Sequence, residues 1–214
     1  MSDGPKELFQ LLQSAAGGSQ PALGELLDRY RARLRHMVRL RMDRRVRGRV
    51  DPSDVIQDTF VEASRRLSEY VNNPSVAFFV WLRYLAAQRL QMLHRHHLGA
   101  QARDARREVS LYGGDLPEAK SAVLAVQLLG RLTSPSMAAA RAEMKLTLLE
   151  ALEAMEPIDR EVLALRHFEQ LSNVETGQVL GITPKAACNR YVRALERFRP
   201  IVSAMPGGVA ESLM

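Results

Sequence analysis

The segment 171–199, LSNVETGQVLGITPKAACNRYVRALERFR, restricts the possible folds more than any other part of the chain. It predicts two short helices joined by a glycine turn. The first runs from about Asn173 to Leu180, and Gly181 then supplies the left-handed or open backbone that a sharp inter-helix turn requires. Thr183 is a suitable N-cap, and Pro184 at the first helical position has a preset φ and no amide donor to leave unpaired. In the second helix Ala187, Tyr191, Ala194, Leu195 and Phe198 share one face, while Lys185, Asn189, Arg193 and Arg197 lie along another. Gly177 has no side chain, so the two helices can approach closely. A solvated basic face is the plainer alternative. Cap, turn, small residue and basic outer stripe agree, however, on a helix-turn-helix that offers its second helix to the DNA major groove.

Charge points the same way. The 214 residues are 46% apolar, enough for one or two domains with real cores, and they carry a formal net charge of +6. The cations are mostly arginine, the side chain suited to bidentate phosphate and guanine contacts. A single cysteine, Cys188, excludes an internal disulfide framework and any cysteine-cluster metal site, and predicts a reducing compartment. The start, MSDGPKELFQ, lacks the basic-then-apolar pattern of a secretory leader, and no apolar run approaches the roughly 20 residues of a membrane span. A soluble cytoplasmic protein without membrane insertion is expected. No glycine-rich phosphate loop and no serine, histidine and acid set at catalytic spacing occur, so neither an enzyme nor a cofactor is expected.

Helical periodicity dominates the first half, where Leu23, Leu26, Leu27, Tyr30, Leu34, Met37 and Val38 form one stripe. Its outer face is arginine-rich from Arg29 to Arg49, with Asp43 the only acidic residue. In DPSDVIQDTFVEASRRLSEY, Asp51 caps a helix, Pro52 takes its first position and Asp54 sits in its first turn. Ile56, Phe60, Ala63, Leu67 and Tyr70 make the buried stripe, leaving Asp54, Gln57, Asp58 and Glu62 as an acidic patch in a basic half. That sign reversal suggests a protein partner. Asn72, Asn73 and Pro74 break the chain before a further helix, with Phe79, Leu82, Ala86, Leu90 and Leu93 on one face. Phe78, Trp81 and Tyr84 interleave with arginines there, which suits either stacking on unpaired bases or core packing. His94, His96 and His97 point apart on a helix and lack completing ligands, so no metal is expected. They extend the basic surface instead, with Arg103, Arg106 and Arg107.

The expected class is all-α, two small helical domains joined by a linker. Residues 1–108 form the first domain, and 109–139 the linker, with a helix of its own from about Ala119 to Leu132. Residues 140–200 form the helix-turn-helix domain and 201–214 a flexible tail. The stripes Met144, Leu148, Leu152, Met155 and then Ile158, Val162, Leu165, Phe168 mark two helices supporting the DNA-reading pair.

As a set, DPSDVIQDTFVEASRRL, FFVWLRYLAAQRL and LEAMEPIDREVLALRHFEQLSNVETGQVLGITPKAACNRYVRALERF resemble the extracytoplasmic-function group of bacterial sigma factors. These are the dissociable promoter-recognition subunits of RNA polymerase. The resemblance implies that Asp54, Gln57, Asp58 and Phe60 bind core polymerase. It implies that Asn73, Val76, Phe78, Arg83 and Gln88 bind a melted −10 element, with a base flipped and stacked. It places Pro184 at the start of the helix reading the −35 element, with Lys185, Asn189, Arg190 and Arg193 at base edges and phosphates, and Arg166 and Ser172 on the flanking backbone. The implied partners are core RNA polymerase and promoter DNA, with an anti-sigma protein left open. The chain departs from the family pattern at Thr176, where a bulky aliphatic residue is common, and at Ala187 and Cys188, where a β-branched residue and a cation are. Arg41 to Arg49 and HRHHLGAQARDARRE exceed the basic charge the fold needs, implying nonspecific promoter affinity through counterion release. A stand-alone helix-turn-helix regulator, whose first domain senses a ligand or dimerises, is the competing reading.

Overall fold

The computed structural model describes residues 5–98, 121–132 and 138–203, and all regular structure among them is helical. The N-terminal helices are α1 (Pro5–Ala16), α2 (Gln20–Arg41), α3 (Arg44–Arg47), α4 (Pro52–Asn72) and α5 (Phe78–Leu98). There follow α6 (Ser121–Leu132), α7 (Ala138–Glu153), α8 (Pro157–Leu163), a π-helical turn (Ala164–Phe168), α9 (Asn173–Leu180) and α10 (Pro184–Ser203). The chain divides into two compact units, Met1–Pro117 with Gln178–Gly181, and Glu118–Gly177 with Ile182–Met214.

In the first unit the helix starts are written in short polar side chains. Ser19 accepts a hydrogen bond from the Ala22 amide at 3.4 Å to begin α2, and Asp43 accepts from the Arg45 amide at 2.9 Å to begin α3. At α4 the Asp51 carboxylate accepts from the Ser53 amide at 2.7 Å, while Asp54 accepts from the Asp51 amide at 3.3 Å, completing a capping box. The Ser53 amide holds the Asp51 carboxyl below the usual carboxylate range. The helices α2, α4 and α5 pack against one another through Leu26, Leu34, Met37 and Val38, Val55, Ile56, Ala63 and Leu67, and Phe79, Leu82, Ala86 and Leu90. Each of the larger side chains among these contributes about 1.5–3 kcal/mol on burial, and the two alanines less.

Two residues expected on the basic surface lie inside. His94 is buried, and its Nε2 accepts a hydrogen bond from the Asp43 amide at 3.1 Å, fastening the end of α5 to the start of α3. Arg41 is buried as well. His96 is exposed and His97 half-buried, whereas Arg103, Arg106 and Arg107 fall outside the described residues.

In the second unit α6 packs on α7, and its Leu124, Ala125 and Leu128 are buried. The helix expected within a linker is therefore part of the unit's core, because its apolar stripe needs a partner. Met144, Leu148, Leu152, Met155, Val162, Leu165 and Phe168 are buried as the stripes predict, and Ile158 is half-buried. The π-helical turn was not anticipated. There the Glu169 amide donates to the Ala164 carbonyl at 3.0 Å, a reach of five residues, and Gln170 ends the helix at φ 58. Helix α10 packs on α8 and α7 and continues through Pro200 to Ser203, three residues into the stretch expected as a tail. Residues 204–214 fall outside the described ones.

Candidate nucleic-acid interface

Helix α9 opens with a reciprocal cap. The Ser172 hydroxyl accepts from the Glu175 amide at 3.1 Å, and the Glu175 carboxylate accepts from the Ser172 amide at 2.7 Å. Ser172, expected to clamp DNA backbone, thus has its side chain engaged in starting α9. Gly181 then turns the chain at φ 65, and the Ile182 amide donates to the Gly177 carbonyl at 3.1 Å. A Cβ on Gly177 would lie 2.6 Å from the Ile182 carbonyl oxygen, so this position admits only glycine without movement of the turn. The Thr183 hydroxyl accepts from the Ala186 amide at 3.1 Å, and α10 begins at Pro184.

Helix α10 is divided lengthwise. Ala187, Ala194 and Phe198 are buried and Tyr191 and Leu195 half-buried, while Pro184, Lys185, Asn189, Arg193 and Arg197 are exposed. Val192 joins the outward face at 47% exposure. An apolar residue on a basic stripe was the overlooked signal, since its methyl groups can meet a thymine methyl in the major groove.

Two arginines expected at the DNA are instead held by the protein. Arg190 lies 2.6 Å from an Asp159 carboxylate oxygen and 3.2 Å from a Glu156 one. These hydrogen bonds raise its guanidinium pKa further above the usual arginine value. Its place on α10 turns it toward α8, so it cannot be counted with Lys185, Asn189 and Arg193. Arg166, half-buried, donates to the Leu171 carbonyl and sits over the Tyr191 ring, 5.2 Å from its centroid. Thr176 is fully buried, and its hydroxyl has no hydrogen-bond partner among the described residues.

In the first unit Asp54, Gln57 and Asp58 are exposed on α4, with Asp58 paired to Arg89 of α5 at 2.5 Å. Phe60 is buried under the Arg31 guanidinium, 4.9 Å from the ring centroid. Together with Ser53, Gln57, Val61 and Ser64 these two line a shallow depression of about 390 Å³. Phe60 is thus a floor and not a projecting contact.

The residues expected at unpaired DNA separate into two groups. Asn73 is exposed beyond the last turn of α4, and Gln88 is exposed with its amide donating to the Tyr84 hydroxyl at 2.8 Å. Val76 is half-buried, its carbonyl accepting from the Tyr70 hydroxyl at 2.8 Å. Phe78 and Arg83 are buried, at 3% and 2% exposure, and cannot offer their side chains to DNA in this conformation. Arg83 falls in helical phase with Phe79, Ala86 and Leu90, which places it on the inward stripe. Phe78 is surrounded by rings, with centroids of Tyr30 and Tyr70 at 5.4 Å and Trp81 at 5.6 Å. Trp81 stacks on Tyr70 at 4.8 Å. Of the two roles open to these aromatics, Phe78 and Trp81 take the core one.

Among the described residues no cluster of histidine, cysteine and carboxylate side chains could hold a metal ion, and no helix is long and apolar enough to cross a membrane.

Residues 145–198, which run from within α7 into α10, match the family described as Sigma-70, region 4. Over most of its length the chain is similar to three curated proteins. The RNA polymerase sigma factor CarQ of Myxococcus xanthus is 26% identical, covering 90% of this chain and 96% of its own. CnrH of Cupriavidus metallidurans, also an RNA polymerase sigma factor, is 28% identical over 94% and 97%. BldN of Streptomyces coelicolor, an ECF RNA polymerase sigma factor, is 24% identical over 90% of this chain and 66% of its own. A solved structure of CnrH in complex with the cytosolic domain of CnrY superposes with a TM-score of 0.52 at 25% identity, covering 92% of this chain and 98% of that one.

Proposed function

We propose that the chain is an RNA polymerase sigma factor of the extracytoplasmic-function group, which docks on core polymerase through its first unit and reads the −35 element with α10. The observation that carries this reading is the α9–α10 pair, whose glycine turn and capped second helix expose Lys185, Asn189 and Arg193 together on one face. Asp54, Gln57 and Asp58, around the depression floored by Phe60, form the docking surface for polymerase. The stretch from Asn73 to Val76, with Gln88, meets the unpaired −10 strand, and the ring cluster beneath it holds that stretch in place. Sigma factors act without catalysis of their own, so binding energy alone drives promoter opening in this reading. It operates in the cytoplasm, and a partner comparable to the cytosolic domain of CnrY, bound to CnrH, regulates it.

The test is a pull-down with purified bacterial core polymerase, comparing wild type with the Asp54→Lys, Asp58→Lys double variant. Reversing Asp58 also removes its pair with Arg89, so circular dichroism is recorded to show that the helices persist. Tight binding lost in the folded variant supports the docking surface, and unchanged binding refutes it. No binding by either protein, with DNA binding retained, returns the chain to the stand-alone regulator.

A further inference from the structure

We infer that Arg190 is a positioning residue: its bridge to Asp159 sets the angle at which α10 presents Lys185, Asn189 and Arg193, and it does so without touching DNA. The inference rests on the proposed reading of α10 as the −35 helix.

The two carboxylates that hold Arg190 differ in kind. The Asp159 side chain is 4% exposed and stands 2.6 Å from the guanidinium, whereas Glu156 is 66% exposed and stands at 3.2 Å. An exposed carboxylate loses little if its partner leaves, because water replaces it. A buried one cannot be left unpaired without a large penalty, so Asp159 is the anchor. Asp159 lies in the first turn of α8, where the helix dipole also favours a negative charge, and that turn belongs to the core that α10 packs on. The bridge therefore joins the second turn of α10 to a rigid element.

Phe198, the large buried side chain of α10, lies two turns beyond Arg190, and Tyr191 and Leu195 are half-buried, so the fully buried α10 packing nearest Arg190 is smooth. Ala187 and Ala194 are its buried small contacts, and small side chains define rotation about a helix axis poorly. A side-chain tip about 5–6 Å from the axis moves roughly 2 Å when the helix turns by about 20°. That exceeds what a hydrogen bond to a base edge tolerates. A charge-assisted contact at 2.6 Å resists such a turn, and it acts next to Asn189 and one turn before Arg193.

The experiment measures binding of the full-length protein to a −35-containing duplex, and to a scrambled duplex, across a salt series. Arg190→Ala is expected to weaken specific binding about tenfold or more while leaving the slope of log K against log salt unchanged, because no phosphate counterion is exchanged at this residue. Asp159→Asn keeps Arg190 in place but releases it, and is expected to give a comparable loss. The double variant is expected to be no worse than either single one, and Glu156→Gln to change binding by less than about threefold. Should Arg190→Ala fail to fold, Asp159→Asn and Arg190→Lys decide the matter. A slope reduced by about 0.9 in Arg190→Ala, or tighter binding by Asp159→Asn, makes Arg190 a DNA contact and overturns the inference. If Lys185→Ala and Arg193→Ala also leave binding untouched, the reading of α10 itself has failed, and the inference with it.

Discussion

Replacing Gly177 by alanine sets two effects of known size against each other. Alanine inside α9 gains about 1 kcal/mol of helix propensity over glycine. The added Cβ, however, would stand 2.6 Å from the Ile182 carbonyl oxygen, 0.8 Å short of the 3.4 Å at which ordinary contact begins (3.4 − 2.6). The obstacle is backbone, not the tip of a flexible side chain, and Pro184 N follows at 3.4 Å. Overpacking of this kind costs about 1–3 kcal/mol. Moving the carbonyl also strains the bond from the Ile182 amide to the Gly177 carbonyl, worth about 1 kcal/mol. The clash wins, with a net loss of about 1–3 kcal/mol and a displaced start to α10. Gly24, in α2, is the control, since a Cβ there meets nothing within 4 Å and alanine should stabilise by about 0.5–1 kcal/mol. Thermal unfolding followed by circular dichroism, with binding to a −35 duplex, reads both, each kcal/mol shifting Tm by about 4–8 °C for a unit of this size. A Gly177→Ala protein as stable as wild type, with DNA binding intact, would refute the account of this turn.

Two further outcomes follow from single side chains. Thr176→Val removes a buried hydroxyl that has no partner among the described residues, and should stabilise the fold by roughly 1 kcal/mol, seen as a raised urea midpoint; a lowered midpoint would show that the hydroxyl is bonded. Asp51 has its folded pKa depressed by the Ser53 amide, so its stabilisation is complete above the unfolded value of about 3.9 and is lost as pH falls through the lower folded value. Acid should therefore fray the start of α4, and Asp51→Asn should flatten that part of the profile; identical hydrogen-exchange profiles for the two proteins below about pH 4 would disprove the linkage.

The helices were legible in the sequence wherever a local rule governs them. Asp51 with Pro52, Thr183 with Pro184, and Gly181 each act over a few residues, and each is found in its expected role. The buried stripes of α2, α4, α7 and α8 follow in the same way from helical phase. The π-helical turn at Ala164–Phe168 is different, because the segment ALRHF has good helical composition and nothing in it announces an extra residue per turn. His94 was misplaced for a related reason. Its acceptor role depends on the Asp43 amide, 51 residues earlier, and no local pattern records that meeting.

Charge is where reading by composition fails at the candidate site, and the reason is physical. Arg190 and Arg193 sit three residues apart on one helix, with the same side chain and the same apparent fitness for phosphate. Asp159, 31 residues earlier, lies within 2.6 Å of one of them and so converts it from a candidate contact into part of the scaffold. Arg83 and Arg89 divide similarly along α5, the first turned inward by helical phase and the second paired to Asp58. A guanidinium becomes available to a polyanion only after the protein's own carboxylates have taken theirs, and those carboxylates arrive from other helices. The count of arginines therefore predicts the kind of partner, whereas which arginines reach it is decided by packing. On that ground Lys185, Asn189 and Arg193, exposed on α10, are the side chains on which promoter preference should depend, and Arg190 is the one whose loss should blur it without changing its salt dependence.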